Sequence, residues 1–184
     1  QSVRCPVNSK ANFNNANSEL QVVPAQLADV SAVAELVNRA YRGENGWTRE
    51  SLLIAGNRTS NQEIHVLLAM GGLHVATIHG QIIGCFNLES KENSVFVGLV
   101  ASEPDYQGIG LGRRMLEKAQ ELAMCNFSAK ELNMWVVSQR TELIEYYERR
   151  GFRKTGTVKP YPSNSGVGNP VVEGLTIQQL TMGI

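Results

Sequence analysis

Gln107-Gly108-Ile109-Gly110-Leu111-Gly112, with Arg113-Arg114 behind it, sits between two segments of opposite character. Ahead of it, Ser94-Val95-Phe96-Val97-Gly98-Leu99-Val100 is apolar and partly β-branched, which reads as a strand. Behind it, Leu111, Met115, Ala119, Leu122 and Ala123 share one face at helical spacing, and charged residues take the opposite face. Strand, glycine-rich turn and helix in that order suit a bound anion. Glycines at alternate positions carry no Cβ, so successive N–H groups can converge on one phosphate, and the helix start adds unpaired donors and partial positive charge.

Upstream of that unit, Leu20-Gln21-Val22-Val23-Pro24 reads as a short strand, and Asp29 is placed to cap a helix with Val30, Val33, Ala34, Val37, Ala40 and Tyr41 on its apolar side. The helix ends at Arg42-Gly43. Leu52, Leu53 and Ile54 suggest a second short helix, and Ser60-Asn61-Gln62-Glu63 has the capping-box pattern for a third. Leu73–Ile78 and Ile82–Leu88 form the arms of a hairpin, and a tight connection at Ser90–Asn93 returns the chain into the Ser94 strand. Downstream, Leu132–Val137 is reached through a helix and so should run parallel to the Ser94 strand. Thr141–Arg150 is a further helix ended by Gly151, and Phe152–Thr157 and Leu175–Met182 are a last strand pair joined by a Pro- and Gly-rich loop. The order predicts an α+β domain, a mixed and mostly antiparallel sheet flanked by helices.

Residues 1–18 are rich in Asn and Ser, too polar to offset the entropy of ordering, so a flexible lead-in is expected before a single domain over 19–184. Seventeen basic and seventeen acidic residues cancel, which leaves no overall field to recruit nucleic acid or a membrane surface. No apolar run approaches a membrane span, and no secretory h-region opens the chain, so a cytoplasmic protein is expected. Cys5, Cys85 and Cys125 are far apart, with no metal-like Cys/His grouping; they read as incidental thiols of a reducing compartment, and no metal is expected.

Three phosphate-binding patterns compete for the glycine turn. A P-loop needs Lys then Ser or Thr after its last glycine, and Arg113-Arg114 stand there instead. A dinucleotide fingerprint needs G-x-G-x-x-G and an acid ending the next strand, which here ends Val137-Ser138-Gln139. The third, Q/R-x-x-G-x-G/A, is met by Gln107, Gly110 and Gly112, with Pro104 three residues ahead of Gln107. Tyr146-Tyr147-Glu148-Arg149-Arg150-Gly151-Phe152 is similar to the Leu-Tyr-Glu-Lys-x-Gly-Phe signature that follows it in the same family. In both stretches the chain resembles the GNAT superfamily of acetyl-CoA-dependent N-acetyltransferases.

The resemblance implies a sheet splayed between its fourth and fifth strands, with acetyl-CoA as cosubstrate in the gap. It would place pantetheine on the main chain of Val100, Ala101 and Ser102. The pyrophosphate would lie on the amides of Gln107, Gly108, Ile109, Gly110, Leu111 and Gly112. Arg113 fits either a charge partner for it or a solvated helix residue. Tyr147 matches the position that returns a proton to the departing thiolate, a task suited to a phenol that keeps its proton near neutrality. Where relatives often carry Asn, seven residues before that Tyr, this chain has Arg140, and Ser138 is the candidate to replace its contact. Glu89 is the nearest carboxylate for a base, beside the simpler alternative of proton loss through water. Tyr41 and Trp47, in the polar region after the first helix, are candidates to meet the acceptor. The expected reaction is acetyl transfer to a small-molecule primary amine. The alternatives are a peptide or protein N-terminal or lysine acetyltransferase and a non-catalytic acyl-CoA sensor. Oligomeric state stays open, a homodimer included.

Overall fold

A computed structural model describes residues 20–43, 50–92, 94–106, 108–163 and 165–184. The readings made for 1–18, Cys5, Trp47 and Gln107 lie outside these residues. The main sheet has seven strands, β1 (Gln21–Pro24), β2 (Leu73–Ile78), β3 (Gln81–Lys91), β4 (Ser94–Ser102), β5 (Glu131–Val137), β6 (Arg153–Pro160) and β7 (Thr176–Gly183), in spatial order β1-β2-β3-β4-β5-β7-β6. Every adjacent pair is antiparallel except β4 and β5, the pair joined through a helix.

The helices are α1 (Val30–Arg42), α2 (Asn61–Ala69), α3 (Leu111–Phe127) and α4 (Thr141–Glu148). Helices α1 and α2 bury Val33, Val37 and Ile64 in one cluster with Val75 and Leu99, while α3 and α4 bury Met115, Ala119 and Ile144 in another with Ala76 and Val97. Val75 and Ala76 are neighbours in β2 yet enter different clusters, as alternation across a pleated strand requires. Each fully buried aliphatic side chain of this kind contributes about 1.5–3 kcal/mol.

Two features of β4 shape everything near its end. Its pairing with β5 is confined to Val95↔Leu132 and Phe96↔Asn133, so the two strands part beyond Phe96. On the other side, Cys85 pairs with Ala101 and Asn87 with Gly98, which leaves Leu99 and Val100 opposite Phe86 alone. That is a β-bulge, and Leu99 takes a left-handed φ of 49° within it.

Three local expectations are corrected. In place of a second short helix, Glu50–Leu52 make one 3₁₀ turn and Ile54–Ala55 pair with Asn169–Pro170. Three apolar residues are too few to repay helix nucleation, whereas Ile54 extended is fully buried with Tyr161 and Leu175. Asp29 stands at the N-cap position of α1 as expected, but its carboxylate accepts from the Gln26 N–H at 2.8 Å and closes the preceding 3₁₀ turn, so its side chain caps no α1 amide. Cys125 is disulfide-bonded, leaving Cys85 as the free thiol among the described residues. This removes the cysteine argument for a reducing compartment. Cys85 is fully buried, and desolvation pushes its thiol up to about 12. No helix among the described residues is long and apolar enough to cross a membrane, and no group of His, Cys, Asp and Glu among them could hold a metal ion.

Candidate functional site

The glycine turn delivers the chain from β4 into α3. Gly108 and Gly110 have φ of 84° and 81°, and an added Cβ at either would stand in open space, so backbone conformation rather than crowding requires glycine there. Gly112 is constrained differently, because a Cβ on it would lie 2.5 Å from the Tyr146 hydroxyl. The first closed helical bond runs from the Arg114 N–H to the Gly110 carbonyl at 3.1 Å, so the amides ahead of it have no intrahelical acceptor. Gly108, Gly110 and Gly112 line a cleft of about 460 Å³ together with Leu111, the β4 residues Val100, Ala101 and Ser102, and Tyr146, Tyr147 and Arg150 from the region of α4.

Burial and charge act on the two tyrosines in opposite senses. Tyr147 is 7% exposed and meets Tyr146 and Phe152 edge to face. Desolvation raises its phenol well above the usual tyrosine range, while Arg140 and Arg150 pull it back only in part. Tyr146 is also raised by desolvation, with Arg150 opposing. The Arg150 guanidinium carbon stands 3.4 Å from the Tyr146 ring centre, and its Nη1 donates to the Tyr146 carbonyl at 2.9 Å. One helical step separates these tyrosines by about 100°, and the turn of α4 nevertheless presents both to the same cleft.

A second cleft, of about 250 Å³, shares Tyr41, Val100, Arg140, Leu143 and Tyr147 with the first and continues past Arg58, Glu89 and Trp135 to Tyr161. Its inner wall is an ion network. Glu50, 3% exposed, meets Arg42 at 2.8 Å through one carboxylate oxygen and accepts from Arg140 through the other. Arg42 also donates to the carbonyls of Gly56 and Val167, which ties α1 to the loop after β6. Tyr41 donates from its hydroxyl to the Val100 carbonyl at 3.3 Å, and its phenol is raised by desolvation against the nearby Arg58.

Of the residues singled out from sequence, Val100, Ala101, Ser102, Gly108, Gly110, Leu111, Gly112, Tyr41 and Tyr147 line the first cleft. Glu89 lines the second and is paired with Lys91 at 3.1 Å. Ile109 is 56% exposed and, like Arg113 and Ser138, is absent from both linings. Arg113 pairs with Glu117 one turn along α3, and the Ser138 N–H is taken by the Thr176 carbonyl. Arg150, Leu143, Tyr106 and Glu50 carried no site reading. Arg150 follows Arg149 at a helix end, where cations read as complements of the helix dipole.

The clefts converge on the end of β4, where a strand pair opens beside a glycine-led helix start. The sequence profile described as an acetyltransferase (GNAT) domain matches residues 69–154, a span from the start of β2 to the start of β6 that takes in all of these features. Over that span the chain is similar to GNAT acetyltransferases. The chain is 30% identical over 105 residues to the uncharacterized N-acetyltransferase YitH of Bacillus subtilis, a match that covers 56% of the chain and 35% of that protein. It thus spans about a third of that relative's length. The ribosomal-protein-S18-alanine N-acetyltransferase of Escherichia coli has a similar fold, with TM-score 0.65, 18% identity, and coverage of 90% of this chain and 94% of that one. A GNAT family acetyltransferase of Elizabethkingia anophelis, solved with acetyl-CoA bound, gives 0.60, 20%, 91% and 99% in the same order. At these identities the structural likenesses speak for the fold alone.

Proposed function

We propose that this chain transfers an acetyl group from acetyl-CoA to the primary amine of a small molecule, with Tyr147 returning a proton to the departing sulfur. The observation that carries this reading is the junction of the two clefts at Tyr41, Val100, Arg140, Leu143 and Tyr147, where a donor in one could meet an acceptor in the other. The donor fits the first cleft. The N–H groups from Gly108 to Gly112 can receive phosphate oxygens, and among the described residues β4 beyond Phe96 has no strand on its β5 side, which leaves that edge for an amide-bearing arm. Acetyl-CoA supplies the activated thioester; the chain supplies position and a proton.

In the transfer, a C–N bond forms between the acceptor nitrogen and the acetyl carbon, and the C–S bond breaks. The nitrogen loses one proton to water, and the Tyr147 O–H gives its proton to the sulfur and recovers one from solvent. Burial suits Tyr147 to this role, because a phenol held above its usual pKa remains protonated wherever an amine can be neutral. Glu89 faces the second cleft, but Lys91 pairs with it, which favours proton loss through water over a carboxylate base.

Tyr147→Phe should lower kcat by about a hundredfold or more, the usual range for a lost general acid, while the KM for acetyl-CoA stays within a few-fold. The wild-type rate should climb with pH as the acceptor loses its proton. No alkaline fall through pH 10 should follow, since a raised Tyr147 is still protonated there. An unchanged kcat in Tyr147→Phe would remove Tyr147 from the proton transfer, and acetyl-CoA binding without turnover across a broad amine panel would move the reading to an acyl-CoA sensor.

A further inference from the structure

The second cleft contains donors that its own acceptors do not fill. Arg140 is 7% exposed and lines the cleft; its Nη1 is committed to Glu50, and its Nε is buried with no hydrogen-bond acceptor among the described residues. Arg58 lines the same cleft with Nη1 buried and likewise without an acceptor; the Glu63 carboxylate stands 3.9 Å away, beyond hydrogen-bond range. Glu50 meets Arg42 and Arg140 through one oxygen each, and neither the Arg140 Nε nor the Arg58 Nη1 donates to it. Across this inner wall three guanidinium groups (Arg42, Arg58, Arg140) face two carboxylates (Glu50, Glu63), a surplus of one positive charge. At the outer end Glu89 and Lys91 cancel.

Arg58 is also held in place. The Asn38 side chain of α1 accepts from the N–H groups of Arg58 and Thr59 at 2.7 and 3.1 Å and donates to the Thr59 carbonyl at 3.0 Å. The guanidinium carbon of Arg58 lies 5.5 Å from the centre of the Tyr41 ring. Two pinned guanidinium groups in the lining of one cleft, each with a buried and unanswered N–H, offer donors suited to a planar monoanion.

We infer that the acceptor is an amine that carries a carboxylate, seated in the second cleft with that carboxylate accepting from Arg58 and Arg140. A single carboxylate matches the surplus of one charge, and about 250 Å³ suits an amino acid rather than an extended peptide. The inference rests on the acetyltransferase reading above and names the substrate class of the same site.

The test pairs each of the common L-amino acids, β-alanine and γ-aminobutyrate with its own carboxamide and follows CoA thiol release. At least one acid should exceed its carboxamide in kcat/KM by about tenfold to a hundredfold, the range for charged hydrogen bonds. Arg58→Met should erase that preference by raising the KM of the acid far more than that of its carboxamide, and more than the KM for acetyl-CoA. Calorimetric binding of the preferred acid should be lost in the same variant. Arg58→Lys, which keeps charge without the planar fork, should fall between and covers the case of a poorly folded Met variant. Carboxamides used as well as the acids would overturn the inference and leave the acetyltransferase standing. Silence from every amine, charged or neutral, would sink both.

Discussion

The two clefts that meet at Tyr147 are built by opposite means. The first is made largely of backbone, from a turn whose glycines take positive φ to a strand end whose edge lies open. The second is made of side chains, with Arg42, Glu50, Arg58 and Arg140 brought together from three parts of the chain. A backbone site can recognise what every turn of the reaction shares, namely the cosubstrate's phosphates and amides. A side-chain site can be rewritten residue by residue, and on the proposed reading it is the half that would select the acceptor. Damage should therefore look different in the two halves: a binding defect for acetyl-CoA in one, loss of stability or of acceptor choice in the other.

The largest effect is expected at Glu50. Its removal leaves Arg42 and Arg140, both nearly buried, facing each other without a carboxylate between them. Glu50→Ala should cost about 3–5 kcal/mol in chemical denaturation, the range for breaking a buried ion pair from one side. A loss under about 1 kcal/mol would mean that solvent reaches the network, and the contrast between the halves would weaken.

Gly110→Val tests the other half and should act on binding first. The left-handed conformation at φ 81° costs a branched side chain about 1–2 kcal/mol, and relaxing it would turn the neighbouring amides away from their shared focus. Since a Cβ there meets no atom of the protein, most of the defect should appear as a rise of roughly tenfold or more in the KM for acetyl-CoA, with acceptor KM preserved. A normal value would reduce the turn to a connection.

The same contrast explains what could be read from sequence. Gly108 and Gly110 were legible because their requirement is local: φ at those positions is positive, and glycine announces it. Tyr147 was legible through a short signature contained within α4 and its end. Glu50 was not, because its meaning depends on Arg140, 90 positions away, and on Arg42, which itself reaches the carbonyl of Val167, 125 positions along. Arg140 stood out only as a departure from the Asn of relatives, a sign of change that could not name its partner. The bulge was hidden for another reason. Nothing in Gly98-Leu99-Val100 marks Leu99, rather than the adjacent glycine, as the residue with left-handed φ; pairing with Phe86 and its neighbours decides it.

The smallest effect separates two arginines that the sequence treats alike. Arg113 follows the glycine turn directly and was the natural charge partner for a phosphate, yet it is two-thirds exposed and spans one helical turn to Glu117 at 3.4 Å. Such a pair is worth about 0.3–0.5 kcal/mol, so Arg113→Ala should change the KM for acetyl-CoA by less than about twofold. Arg150 lies far along the chain but lines the first cleft, stacks on Tyr146 beside Gly112, and keeps its Nε buried without an acceptor among the described residues. Arg150→Ala should raise the same KM by about three- to tenfold, because it removes a guanidinium that lines the same cleft as the turn and frees the ring that packs over Gly112. The ratio between these variants is the sharper measurement, since both delete one surface-connected cation and leave net charge equal. If Arg113→Ala proved the more damaging, bound phosphates would have to draw the start of α3 into a conformation with Arg113 turned inward. The first cleft would then be shaped by its ligand rather than held ready by the backbone.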